Sequence, residues 1–336
     1  MSALWAAATV LLLALAALLA RVMPGGVALA TVGLPYAAFA ILLVGVCHRV
    51  LGWASSPVPF RIPTTCGQQK SLPWIRTAPI DDPSTTTGAI ARVMLEAVAF
   101  RSLLRNTRPH FQDGRLRFSE TRVLWLAALA FHVSLLVIVL RHLRFALEPA
   151  PGILVAINAA DGMLQIGAPP LLITDVMLAL ALGYLLLRRL LDPVMRYISM
   201  FSDYFALLLI LAIAVSGALM RYVDRVDVVS VKQFVLGLAT FDPIVPAAPS
   251  PVFLVHLVLV SALAVYIPFS KLMHFGGVFL SPTRNLANDS RRKRHVNPWN
   301  PPLATGGYAK WEAEFADKLE LAGFGKVDDV RSTDQD

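Results

Sequence analysis

Cysteine is nearly absent: Cys47 and Cys66 are the only two in 336 residues. Two thiols cannot supply the roughly four ligands of an iron–sulfur cluster or a structural zinc site, nor a disulfide framework. Charge is scarce as well, at 15% of residues, against about a quarter in soluble domains. A water-soluble enzyme is therefore not expected. Also missing are a Gly-rich phosphate loop, a convincing nucleophile–base pair and a Cys-x-x-Cys-His attachment motif for haem c. Covalent catalysis by this chain alone is therefore not expected. No internal or inverted repeat of the kind found in transporters is evident.

What the chain has instead is apolar residues, 56% of the total, gathered into long runs. A spanning helix needs about 20 of them, and six segments qualify: 4–20, 27–47, 123–140, 171–187, 203–220 and 252–270. The first lacks a basic leader and reads as a retained helix rather than a signal peptide. Pro24-Gly25-Gly26 turns it into the second as a hairpin. The expected fold is an all-α integral membrane protein with six transmembrane helices and a haem-binding bundle. Six crossings put both termini on one side. Of the 30 Lys and Arg, 24 fall in segments 49–122, 188–202 and 271–336, so both ends are expected in the cytoplasm. The formal charge of +8 then records basic inner loops rather than a nucleic-acid site.

Four regions follow. Residues 1–50 form the amino-terminal hairpin, 51–119 a cytoplasmic loop, 120–276 a four-helix membrane domain and 277–336 a cytoplasmic tail. The loop holds an amphipathic helix near 88–106, with Ile90, Val93, Met94, Ala97, Val98 and Arg101 at helical spacing. The tail carries Arg291-Arg292-Lys293-Arg294, which suits either lipid headgroups or a docking subunit, then a helix over 308–322.

Seven histidines are present, and His132, His142, His256 and His274 lie on or just past the third and sixth crossings. Ionisable groups at membrane depth are costly and mark function. Paired neutral imidazoles from facing helices suit haem b iron. Ten residues separate the first two and eighteen the second two, about 15 and 27 Å of straight helix. Antiparallel packing pairs His132 with His274 around an inner haem iron and His142 with His256 around an outer one. Pro268 is expected to kink the sixth helix and absorb the mismatch. His48 reads as an interfacial residue, although a ligand role there would change the pairing, and His110 and His295 sit in soluble basic stretches. Arg141, Arg144 and Arg221 on the outer side and Lys271 on the inner side suit haem propionates, and equally suit snorkelling at the boundary. Arg141 and Arg144 also suit a quinone carbonyl. Asp175 reads as an interfacial or capping group.

These histidines resemble the pattern of the nitrate reductase gamma-subunit family of dihaem cytochrome b proteins, over residues 120–276. Further likeness is to the cytochrome b subunits of Dsr transmembrane complexes (the DsrM type). It is carried by Cys66-Gly67-Gln68-Gln69-Lys70, Leu140-Arg141-His142-Leu143-Arg144, Ser281-Pro282-Thr283-Arg284-Asn285 and Arg294-His295-Val296-Asn297-Pro298-Trp299-Asn300. The resemblance implies two b haems and quinone or quinol as exchangeable substrate. It implies a multi-pass protein of the bacterial cytoplasmic membrane that exchanges electrons with a cytoplasmic iron–sulfur subunit, DsrK. Further implied neighbours are a periplasmic cytochrome c, a periplasmic iron–sulfur protein, a second membrane subunit and the sulfur carrier DsrC. Alternatives are a heterodisulfide- or nitrate-reductase-like complex, a haem-free proton-coupled transporter and a structural assembly anchor.

Overall fold

The computed structural model describes residues 1–57, 67–281, 284–291 and 306–324. Cys66, Pro282-Thr283, Arg292-Lys293-Arg294, His295 and the stretch 297–302 lie outside them. The chain begins with α1 (Ser2–Leu19) and α2 (Gly26–Ala54), joined by the expected tight turn. A π-helical turn at Leu29–Gly33 interrupts α2, just before Pro35, which has no N–H to give to a regular ladder. On the loop side come α3 (Thr86–Ala99), α4 (Arg101–Leu104) and the hairpin β1 (Thr107–Gln112) and β2 (Arg115–Glu120). Then follow α5 (Arg122–His142), α6 (Gly152–Asp161), α7 (Ile173–Leu191), α8 (Pro193–Ile198) and α9 (Phe201–Tyr222). The remaining helices are α10 (Val228–Ala239), α11 (Pro251–Tyr266), α12 (His274–Gly277) and α13 (Tyr308–Leu321).

Among the described residues, five helices are long and apolar enough to cross a membrane: α1, α2, α5 extended to Phe145, α9, and α11 extended to Phe269. The fourth expected crossing, α7, is 19 residues long but carries Asp175 in its first turn and Arg188 and Arg189 in its last. It packs between α5 and α9, and α9 leads on to α1 and α11, with α2 against α11. Three apolar clusters knit the bundle. Ala6, Val10, Tyr204, Phe205, Leu209 and Leu259 join α1, α9 and α11. Ala17, Ala30, Leu254 and Val258 join α1, α2 and α11. Leu178, Leu182 and Ile210 join α7 and α9 beside Phe131, Leu135 and Ile138 of α5. Much of the remaining apolar surface is exposed, as expected where lipid is the solvent.

The sixth crossing differs from a single kinked helix. α11 ends at Tyr266, a 3₁₀ turn spans Ile267–Phe269, and Ser270 is fully extended. His274 therefore sits on a separate short turn, and the straight-helix rise does not apply to it. Pro268 also meets α2 closely: a Cβ on Gly45 would lie 2.6 Å from the proline ring, so only glycine fits there.

The inner loop corrects the sequence reading twice. In α3 the stripe of Ile90, Met94 and Val98 is exposed, while Ala89, Arg92 and Glu96 are buried. Arg92 donates to the carbonyls of Asp81 (3.0 Å) and Arg284 (2.6 Å), and Glu96 accepts from the Ser102 amide (2.9 Å). Asn288 donates to Asp82 (2.9 Å) and, through its amide, to the Pro83 carbonyl (2.7 Å). Loop and post-span segment thus form one folded platform, held by backbone and carboxylate partners that outcompete the apolar stripe. Asp81 anchors Arg101 and Arg105; burial alone would raise its carboxyl, but the two guanidiniums hold it below the ordinary value. The second correction is the hairpin, unexpected in an all-helical reading. The carboxyl-terminal helix α13 belongs to a separate unit and stacks Tyr308, Trp311 and Phe315 along one side.

Arg108 ties β1 to Asp192, the cap of α8, at 2.5 and 3.2 Å. The Arg108 hydrogen bond brings the Asp192 carboxyl from 3.8 down to about 2. A carboxyl lowered in the folded state stabilises above its free value, and that contribution is lost as the pH falls through the folded one. The base of the hairpin is thus expected to stay tied from neutral pH to about pH 4 and to loosen towards pH 2. Hydrogen exchange at residues 107–111 measures this, and Asp192→Asn should loosen the same amides already at neutral pH.

Candidate functional site

The helix α5 is regular from Arg122 to His142, so His132 and His142 stand about 15 Å apart along it. The structure brings each of them to one partner. The His132 and His274 ring centres are 5.8 Å apart with planes at 86°. Those of His142 and His256 are 6.5 Å apart with planes at 17°. A metal held between two imidazoles at about 2 Å from each nitrogen separates ring centres by about 6 Å. Both pairs meet that spacing.

The second nitrogen of every ring is engaged. His132 Nδ1 faces the Ala128 carbonyl at 2.7 Å, and His142 Nδ1 the Ile138 carbonyl at 2.7 Å. His274 Nδ1 faces the Lys271 carbonyl at 2.9 Å. His256 Nδ1 meets the Ser216 hydroxyl at 2.9 Å, and that hydroxyl donates to the Ile213 carbonyl at 3.0 Å. A carbonyl can only accept, so Nδ1 carries the proton in the first three; Ser216, its own proton given to Ile213, sets the same tautomer in His256. Nε2 is left as a lone pair for a metal, in the orientation that outer partners impose on ligating histidines. Phe100 and Phe131 hold His132 edge-on at 4.9 and 4.8 Å, and Phe145 lies beside His142. Among the described residues no three His, Cys, Asp or Glu converge, so these ligands are offered strictly in pairs. The donor set fits two bis-imidazole irons.

The four cations are placed unequally. Arg141, 7% exposed, bonds Asp161 at 2.5 Å and Asp175 at 3.1 Å. Asp161 is buried too and accepts from the Thr174 amide (2.8 Å) and hydroxyl (2.7 Å). Asp175 also accepts from the Tyr222 hydroxyl at 2.9 Å, which in turn accepts from the Leu172 amide. Asp175, in the first turn of α7, is thus the more exposed member of an ion cluster whose other two members are buried. Arg144 donates to Asn158 at 3.2 Å and lies over Phe145; Arg221 donates to the Pro170 carbonyl at 3.1 Å and lies over Tyr222. Each of these three arginines keeps a buried Nε with no partner. Lys271, three residues before His274, pairs with Asp203 at 3.0 Å. His48 and His110 are exposed and away from either pair. Asp161, Ser216 and Tyr222 escaped the sequence reading; an acidic residue in an otherwise apolar stretch, 152–161, was the available signal for the first.

A family model described as the nitrate reductase gamma subunit matches residues 98–291, which include all four paired histidines. The chain is 46% identical over 280 residues to an Hdr-like menaquinol oxidoreductase cytochrome b-like subunit from Archaeoglobus profundus, covering 80% of this chain and 82% of that protein. It is 44% identical over 283 residues to a protein of the same description from Archaeoglobus fulgidus, covering 81% and 85%.

Replacing Asp161 by Asn leaves the buried Arg141 charge short of its nearest carboxylate. Thermal unfolding in detergent is expected to register a loss of about 3–5 kcal/mol. Asp175→Asn, at the more exposed end of the cluster, should cost less.

Proposed function

The chain belongs to the nitrate reductase gamma subunit family, and we propose from that footing that it is the quinol-oxidising cytochrome b subunit of a membrane redox complex. The observation that carries this reading is the pair of facing imidazole sets, 5.8 and 6.5 Å between ring centres, on helices inside the family match. Two b haems are the cofactors these ligands suit: His132 and His274 would hold the inner one, His142 and His256 the outer. When bound, they supply one-electron carriers on a path across the membrane. The relatives' description as menaquinol oxidoreductases supports menaquinol as the electron donor.

The protein's own residues supply orientation, charge and access. Ser216 and three backbone carbonyls hold the imidazole tautomers. The Arg141–Asp161–Asp175 cluster fixes the outer end of α5 against α6 and α7, and so sets the position of His142. With Arg141 committed to two carboxylates, Arg144 and Arg221 are the better-placed cations for a propionate or a quinone oxygen. Exposed apolar residues beside them, Ile153, Val155, Met163, Leu164 and Ile166, suit an approach from the lipid phase.

The topology we propose has six crossings, with α7 as the fourth and both termini in the cytoplasm, as the basic inner segments favour. The platform of α3 and residues 284–291 then lies on the inner side, below His132 and His274. It is a suitable seat for a cytoplasmic iron–sulfur subunit. The relatives' names favour an Hdr-like partner; a DsrK-type partner, the other Dsr subunits and a role in sulfur metabolism rest on the resemblance of the quoted motifs.

The test is reduction of the reconstituted full chain by a menaquinol analogue, followed in the visible spectrum. The haem bands are expected to sharpen with quinol in the wild type. In His142→Ala they should respond only to dithionite. A wild-type chain reduced by dithionite but never by quinol would contradict the reading.

A further inference from the structure

The hairpin β1–β2 separates its residues by chemistry over most of its length; only the pair Thr107–Glu120 at its base puts a charge on the apolar side. Directly paired residues share a face, and neighbours along a strand alternate. The register pairs Pro109 with Phe118 and Phe111 with Leu116, so these four make one apolar face. It also pairs Arg108 with Ser119 and His110 with Arg117, so the opposite face is basic, and Arg115 continues it. The apolar face is open, with Phe111, Phe118 and Leu116 at 80%, 63% and 51% exposure. A two-stranded hairpin is marginally stable in water by itself, and this one shows its aromatic side outward.

Both strands are held at the base, where the chain enters the bundle. Arg108 bonds Asp192, directly after α7 ends. Glu120 is two residues before Arg122, the first of α5, whose first turns expose Val123 and Leu126. Exposed apolar residues thus resume at the start of α5, just beyond Glu120. In a hairpin of six-residue strands, about 20 Å long, the acidic residues are only Asp113 in the turn, which lies 3.9 Å from Arg117, and Glu120 at the base.

We propose that this hairpin is an interfacial anchor that lies on the cytoplasmic leaflet. Phe111, Leu116 and Phe118 enter the boundary between headgroups and acyl chains, and the arginines draw the hairpin to anionic phospholipid. The proposal rests on the topology given above, which puts residues 67–122 inside. Its function is mechanical: with Asp192 and Arg122 it fixes the level of α5, and hence of His132, relative to the membrane surface.

The experiment uses the full chain in vesicles of phosphatidylcholine and phosphatidylglycerol, with Cys47→Ser and Cys66→Ser as background. Single cysteines at Phe118→Cys and Arg117→Cys, and in parallel at Leu116→Cys and Arg115→Cys, carry an environment-sensitive fluorophore. Expected is a blue shift and quenching by brominated phospholipid at 118 and 116, weaker in pure phosphatidylcholine, with neither at 117 and 115. Labels that stay in water at all four sites overturn the proposal. So do labels at 118 and 116 shielded only after the other subunits of the complex bind, which would make the face a protein interface. A membrane-impermeant reductant acting on the label at 117 reports sidedness. Quenching at 118 with 117 on the outer side would overturn the topology and the leaflet assignment together, while haem content of the same sample reports the cofactor reading separately.

Discussion

An imidazole in hydrocarbon is tolerable only when its N–H has an acceptor, and that requirement is met at each of the four paired histidines. Each of the four paired rings gives Nδ1 to a partner of its own surroundings: a carbonyl one turn back for His132, His142 and His274, a serine for His256. The bond that removes the polar penalty also sets the tautomer, and the tautomer leaves Nε2 with a free lone pair. Solvation and orientation are met by one hydrogen bond at each site. The same economy explains why α11 breaks after Phe269: the short turn from Lys271 supplies both the carbonyl that holds His274 and the change of direction that brings it to His132.

The outer end repeats the logic with full charges. Arg141 stands beside His142, and a guanidinium there needs carboxylates within reach. Asp161 comes from a helix on the far side of a turn and Asp175 from the first turn of α7, so the ion cluster ties three elements around His142. Tyr222 brings α9 into the same network. Rigidity at the site is thus built from groups that would be liabilities if any one were removed.

Much of this was legible in the sequence because the membrane imposes simple rules. Apolar runs of spanning length are read directly, and two histidines ten residues apart on a single helix fix their own separation. What escaped depends on contacts between distant segments. The apolar stripe of α3 suggested a buried face, but Arg92 and Glu96 found hydrogen-bond partners in the loop and in the segment after α11, which periodicity does not record. Asp161 lay in what looked like a plain apolar loop, and its meaning comes only from Arg141, twenty residues away. The hairpin had a local signal that went unused: Asp113-Gly114, both at positive φ, between alternating residues is the preferred two-residue strand turn. An all-helical expectation for the bundle masked it.

The account stands on the two imidazole pairs holding haem, and the most direct measurement is the pyridine haemochrome content of the purified full chain made with ample haem supply. About two b haems per chain is the predicted result, with less in His132→Ala and in His256→Ala than in the unaltered protein. A well-folded chain that carries no haem under the same conditions would contradict it.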